Sequence, residues 1–205
     1  MKKIVNLLLI CLAFAVTASA QDEPAKRFVT AGLLCGDASL APGFLLSENI
    51  STVSIPLSAE YYFDGHVSLK ADIYIHVSSG MTSDSLTLKS NHQLFTGLAY
   101  HFVTKGYFDP YIGFQPGLSY AQLQSDAKTT YSVLNETDLS YHPNIVPVMA
   151  VSVGFRYFFP RYFHIFIEAR YVHGTLVCDR PTPGSFPLDE LKMQFGLGWN
   201  IRTKK

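Results

Sequence analysis

Two adjacent stretches in the C-terminal half alternate so regularly that they leave little choice of backbone. From Val146 to Phe159, Met149, Val151, Val153, Phe155, Tyr157 and Phe159 share one parity, while Ala150, Ser152, Gly154 and Arg156 share the other. Pro160 and Arg161 interrupt the pattern. From Phe163 to Val172 it resumes, with Phe163, Ile165, Ile167, Ala169 and Tyr171 opposed to His164, Glu168 and Arg170. A period of two places alternate side chains on opposite faces of a strand, so this region reads as a β-hairpin with a tight turn. A helix would scatter Arg156, Glu168 and Arg170 among the bulky residues. One face is wide, apolar and aromatic; the other mixes small residues with charge. A strand needs that combination when lipid lies on one side and a narrow polar lumen on the other.

The same pattern runs through the chain. Arg27–Gly36 reads as a weakly patterned first strand, and Asp37–Asn49, with its Gly, Pro and Ser, as a loop. Ser51–Phe63 and His66–Ser78 alternate on either side of Asp64-Gly65, a strong two-residue hairpin signal. A polar loop at 79–90 precedes Asn91–Val103, the turn Thr104-Lys105-Gly106, and Phe108–Gln122. Pro110 and Pro116 fit that last strand poorly, since proline cannot donate to a ladder. A long connection at 123–145 leads to the hairpin already described. A further loop around 178–187 precedes Leu188–Arg202, where Leu191, Met193, Phe195, Leu197, Trp199 and Ile201 oppose Lys192, Gln194, Gly196, Gly198 and Asn200. These segments predict eight strands whose connections alternate between short and long, the habit of a transmembrane barrel with both chain ends in the periplasm.

Charge supports this reading. Glu60, Lys70, Asp72, Arg156, Glu168, Arg170 and Lys192 all fall on the small-residue face of their strands. A charge turned to lipid at the midplane costs roughly 2–4 kcal/mol, which explains such sorting. Charges on neighbouring strands (Glu60 with Lys70 or Asp72 nearby, Arg156 with Glu168, Arg170 with Lys192) are expected to form a structural network, because a narrow interior cannot leave charge unpaired. Tyr61, Phe63, Tyr100, Phe102, Phe108, Tyr157, Phe159, Phe163 and Trp199 gather near the short turns, as an interfacial girdle would.

Composition agrees. Charged residues are 16% of the chain, against roughly 25% in soluble domains. Lys2 and Lys3, the apolar run Ile4–Val16 and Ala18-Ser19-Ala20 read as a signal peptide over residues 1–20, followed by a short periplasmic lead at 21–27, a barrel at 28–202 and a tail at 203–205. Without Lys2 and Lys3, 14 basic residues face 16 acidic ones, so no basic stripe invites nucleic acid. The rival architecture is a secreted lipocalin-like binding barrel. Its outer face would be mostly Gly, Ser, Ala and Asn, too poor in charge for a soluble surface, and its interior would be overfilled.

Leu98-Ala-Tyr-His-Phe102 followed by Asp109-Pro-Tyr-Ile-Gly-Phe-Gln-Pro-Gly117 is similar to the hairpin of small outer-membrane β-barrels of the OmpA, OmpX and OmpW type. Gln194-x-Gly196-x-x-Trp199-x-Ile201 resembles the last-strand signal read by the barrel-assembly machinery, although Arg202-Thr-Lys-Lys205 follows it. The resemblance implies a monomeric eight-stranded barrel without cofactor or metal. It also implies outer-membrane lipid and lipopolysaccharide as surroundings, and either a structural and surface-contact role or a narrow conduit for apolar compounds. His173-x-Thr175 resembles the His-x-Ser of lipid A deacylases, with Asp189 as a third member and Thr in place of the nucleophilic Ser. No HExxH, paired CxxC, P-loop or dinucleotide fingerprint occurs, and no catalysis is expected. Cys35 and Cys178 would each sit near the outer end of a strand, where an oxidising envelope permits a disulfide.

Overall fold

The computed structural model describes residues 28–47, 49–80, 86–102, 106–125, 139–140, 142–159, 162–178 and 184–203. The expected signal peptide, the lead as far as residue 27 and the last two residues of the tail lie outside the described residues. Ten strands follow in chain order: β1 (Leu33–Leu45), β2 (Ile50–Tyr62), β3 (Val67–Ser79), β4 (Leu86–His101), β5 (Phe108–Ser125), β6 (Leu139–Ser140), β7 (Asn144–Phe158), β8 (Phe163–Cys178), β9 (Gly184–Pro187) and β10 (Glu190–Arg202). The short β6 and β9 extend the hairpins of β5 and β8 at one rim. The other eight form a closed antiparallel ring in the order β10-β1-β2-β3-β4-β5-β7-β8, sealed by β8 against β10. No helix occurs among the described residues. The fold is the all-β, eight-stranded, up-and-down barrel that the alternation predicts.

The register fixes the barrel's width. Partners followed round the ring from Leu191 run through Tyr171, Val151, Phe114, Leu98, Leu69, Tyr61 and Leu34 to Ile201, ten residues beyond the start on the same strand. With eight strands, that stagger tilts them by about 40° and sets a backbone radius of roughly 8 Å. The pleat then decides which residues face inward. On β10, Leu191 to Ile201 at odd positions are 43–67% exposed, while Lys192 and Gln194 are 1–2% exposed. Ile165 faces outward, and Arg156 and Glu168 are buried inside. Phe28 and Thr203 lie at one rim, here the terminal rim, with the turn at 63–66, the end of β4 and start of β5, and the end of β7 and start of β8. The far rim carries the connections after β1, β3, β5 and β8. Asp64 shapes the first turn by accepting from the backbone N–H of His66 at 2.5 Å and of Val67 at 2.8 Å.

The first strand differs from its sequence reading. Residues 37–45, expected in a loop, are the body of β1, whereas Phe28–Gly32 is not strand. The Gly, Pro and Ser that suggested a loop obey the barrel's own rule: Asp37, Ala41 and Leu45 turn inward and are buried, and Leu40, Pro42 and Phe44 turn outward. The first far-rim connection is therefore only four residues long, from Leu46 to Asn49, the latter at φ 54°. β4, β5, β7 and β8 also run further toward the far rim than their alternation suggested. Pro110 and Pro116 stand in β5 with outward rings. The β4 pairing skips Gln115 and Pro116, where a ladder donor is missing.

Candidate functional site

An eight-stranded barrel of this radius has one interior, and side chains fill it. From the terminal rim inward, the layers alternate between apolar and charged. Val29, Leu33, Cys35, Tyr62 and Phe158 cap the terminal mouth. Beneath them Arg156 pairs with Glu60 and, at 3.0 Å, with Asp37. Arg156 also donates to the Tyr62 hydroxyl at 2.8 Å, and that hydroxyl donates to Asp109 at 2.8 Å. His101 lies between Glu60 (3.1 Å) and Asp109 (2.9 Å), and His164 lies 2.5 Å from Asp37.

The middle layer is a quartet. Lys70 bonds Glu168, and Arg170 bonds both Asp72 and, at 3.0 Å, Glu168. Tyr111 (2.7 Å) and Gln194 (2.7 Å) complete the shell of Glu168 as donors. Above it Ala41, Tyr74, Phe95, Val148, Ala150 and Val172 form an apolar belt. The guanidinium of Arg170 lies 5.0 Å from the Tyr74 ring centroid and 5.2 Å from that of Phe95. Next to the far rim Glu190 gathers Thr52 (2.5 Å), Asn91 (3.2 Å), Gln93 (3.2 Å) and Lys192 (3.2 Å). A last apolar cluster, including Leu45, Ile50, Leu88, Leu123, Leu176, Phe186 and Leu188, fills the far end.

All seven charges named from the sequence, Glu60, Lys70, Asp72, Arg156, Glu168, Arg170 and Lys192, are at most 1% exposed inside the lumen. Their partners differ from the expected neighbours. Glu60 binds Arg156 rather than Lys70, and Arg156 binds Glu60 and Asp37 rather than Glu168. Arg170 and Lys192 are facing partners on β8 and β10 and take separate carboxylates. Three strands stand between β2 and β7, and between β3 and β8, in either direction round the ring. The Glu60–Arg156, Lys70–Glu168 and Asp72–Arg170 pairs therefore bridge the barrel along its diameters. At this radius long side chains reach further across the lumen than along the wall. Three further lumen carboxylates, Asp37, Asp109 and Glu190, are missing from the sequence reading. Their inward parity was visible, but Asp37 lay in the supposed loop and the other two at strand ends.

The disulfide reading is overturned. Cys35 is a free, buried thiol next to the terminal rim, level with Asn200 on β10. Cys178 ends β8 at the far rim, fifteen residues beyond Phe163. Fifteen residues are about 50 Å of strand, and a disulfide needs Cα atoms within roughly 7 Å. The shift of β1 toward the far rim moved Cys35 to the opposite end from the one expected. Of the last-strand signal, Gln194 faces the lumen, and Trp199 and Ile201 face outward. Trp199 covers Gly36, where a Cβ would fall 2.5 Å from the indole. At Gly196 a Cβ would fall 2.5 Å from the Ser39 Cβ, so the close approach of β10 to β1 requires glycine there.

On the outer wall His173 Nδ1 and Asp189 Oδ1 are 2.6 Å apart, and Thr175 shares their outward face two residues along β8. Among the described residues no group of three or more His, Cys, Asp or Glu is arranged to hold a metal ion.

A closed ring with apolar bulk outside and ion pairs within matches a known family in sequence. The family model described as "outer membrane protein beta-barrel domain" matches residues 7–200. This chain belongs to that family. Membership places it among bacterial outer-membrane β-barrels. No curated protein matches it in sequence. Solved structures agree on the fold. OprG of Pseudomonas aeruginosa is 13% identical with a TM-score of 0.61, covering 89% of this chain and all of its own. Neisserial surface protein A is 16% identical with a TM-score of 0.54, covering 83% of this chain and 96% of its own. Ail of Yersinia pestis, solved with the heparin analogue sucrose octasulfate, is 12% identical with a TM-score of 0.52, covering 84% of this chain and all of its own.

Proposed function

We propose that this outer-membrane barrel is a sealed wall element of the Gram-negative envelope that acts through its surface, as a structural or contact protein, and conducts no solute. The diametric ion pairs carry this reading. Lys70 with Glu168, Asp72 with Arg170 and Glu60 with Arg156 occupy the axis of the lumen, with apolar layers above and below. An ion following that axis would have to separate buried pairs, each of which resists the loss of a partner by about 3–5 kcal/mol. In this reading a cleaved signal peptide exports the chain and its last strand engages the assembly machinery. Its ends lie in the periplasm, and its far-rim loops meet lipopolysaccharide and the exterior as the variable contact surface. The test is single-channel recording on purified barrel in a planar bilayer. The expected trace is flat; stable unitary conductance would reject the sealed lumen and favour the conduit for small apolar compounds.

A second reading rests on one contact. His173 and Asp189 form a His–carboxylate pair on the outer wall, and such a pair can orient an imidazole as a base. Lipid A modification is tested by His173→Ala and mass spectrometry of lipid A. An unchanged acyl pattern dismisses it.

A further inference from the structure

The described chain does not begin in the wall. Phe28–Gly32 crosses the terminal mouth. At its β1 end, Gly32 (φ 80°) donates to the Tyr62 carbonyl at 2.9 Å and accepts from Thr203 N–H at 2.8 Å. At its other end, Phe28 N–H donates to the carbonyl of Gly106, in the turn joining β4 to β5, at 3.3 Å. β1 and β5 stand opposite one another in the ring. A turn at its β1 end, closed by Leu33 N–H donating to the Thr30 carbonyl at 3.2 Å, aims the segment inward from the β1 side toward the β4–β5 turn. Hydrogen-bonded on both sides of the ring, the segment lies across the opening.

Its underside is apolar. Val29 is 3% exposed and packs with Leu33, Cys35, Tyr62 and Phe158. Phe28 stacks on Phe158 at 4.8 Å and meets Tyr107 at 5.7 Å. Arg202, at the end of β10, fastens it from outside: a guanidinium nitrogen donates to the Phe28 carbonyl at 3.1 Å, and the group lies 5.1 Å from the ring centroid. Directly below are Glu60, His101, Asp109 and Arg156, all at most 1% exposed. Along the barrel axis these groups are shielded by the strap together with the wall side chains Leu33, Cys35, Tyr62 and Phe158 packed against it.

We propose that Phe28–Gly32 is a lid on the terminal mouth, hinged at Gly32 and latched by Arg202, which opens while the barrel stays folded and then admits water-borne molecules to the first charged layer. Each wall strand is held by ladders on both flanks. The strap has no ladder, only a few rim hydrogen bonds and one apolar face, so it belongs to the low end of local opening free energies. A glycine at positive φ supplies the hinge. Cys35, 1% exposed beneath the strap, is a built-in reporter. Tyr74, Phe95 and the ion-pair quartet shut off approach from the far rim.

The experiment measures the rate at which a small water-soluble maleimide modifies Cys35 in folded Cys178→Ser protein reconstituted in lipid vesicles. Cys35→Ser in the same background serves as the blank. Phe28→Ala and Arg202→Ala are each made, so that the test survives if one fails to assemble; retention of unboiled gel mobility certifies the fold. Modification should be slow in the parent and rise about tenfold or more in either variant, since labelling follows the open population. In the parent it should also be insensitive to denaturant well below the unfolding midpoint. Equal rates in the parent and in every variant that folds would overturn the lid. So would a parent rate that tracks global unfolding.

Discussion

At the scale of the residue, the lumen depends on pairs whose members come from opposite sides of the barrel. Arg156 is the clearest case, since it answers both Glu60 and Asp37 at zero exposure. Arg156→Ala leaves two buried carboxylates without their cation, and the expected loss of stability is about 3–5 kcal/mol, measured by reversible urea unfolding into lipid vesicles. A loss below ~1 kcal/mol would mean that water already reaches that layer. Seven of the inward-facing charges were legible in the sequence from parity alone; Asp37, Asp109 and Glu190 were missed, since parity helps only within the body of a segment first read as strand. Who binds whom was not legible. Sequence adjacency suggested Glu60 with Lys70, and these are indeed facing partners on β2 and β3. The side chains nevertheless extend across the lumen, where Glu168 and Arg156 lie within reach. That choice depends on the barrel radius, which the ten-residue stagger sets and no short motif reports.

At the scale of the element, the seven strands after the first were readable because their outer faces carry long apolar side chains at every second position. β1 was not. Gly36, Ser39, Pro42 and Gly43 dilute its pattern, and what holds it in the wall comes from its neighbours: the indole of Trp199 over Gly36, and Gly196 making room for Ser39. Residues 37–45 are nonetheless membrane wall, and Leu40, paired with Phe195 near the middle of β10, is 54% exposed on the outward face. Leu40→Arg should therefore cost about 2–4 kcal/mol in lipid, by the same unfolding assay. A neutral result would return that stretch to a loop. Cys35 carries the same lesson. Once β1 is shifted toward the far rim, the thiol moves from the outer end to the terminal end, and the disulfide with Cys178 becomes geometrically impossible.

At the scale of the whole molecule, one sorting rule makes the barrel: bulk and grease turn outward, and small residues and charge turn inward. The architecture follows from that rule. The contact made by the far rim does not, because fold and function are separable in small barrels. The sealed lumen we propose rests on the same rule, since an eight-stranded cylinder that takes arginines and glutamates inside leaves little room for a water column. The measurement closest to this claim is a nitroxide scan along Leu191–Ile201 in folded, bilayer-embedded protein, reading collisions with oxygen, which partitions into lipid, and with a water-soluble nickel chelate. The expected pattern has a period of two: strong oxygen contact at 191, 193, 195, 197, 199 and 201, and little contact with either reagent at 192, 194, 196, 198 and 200. Nickel contact at Lys192 and Gln194 comparable to that of exposed turns, or no periodicity at all, would contradict it.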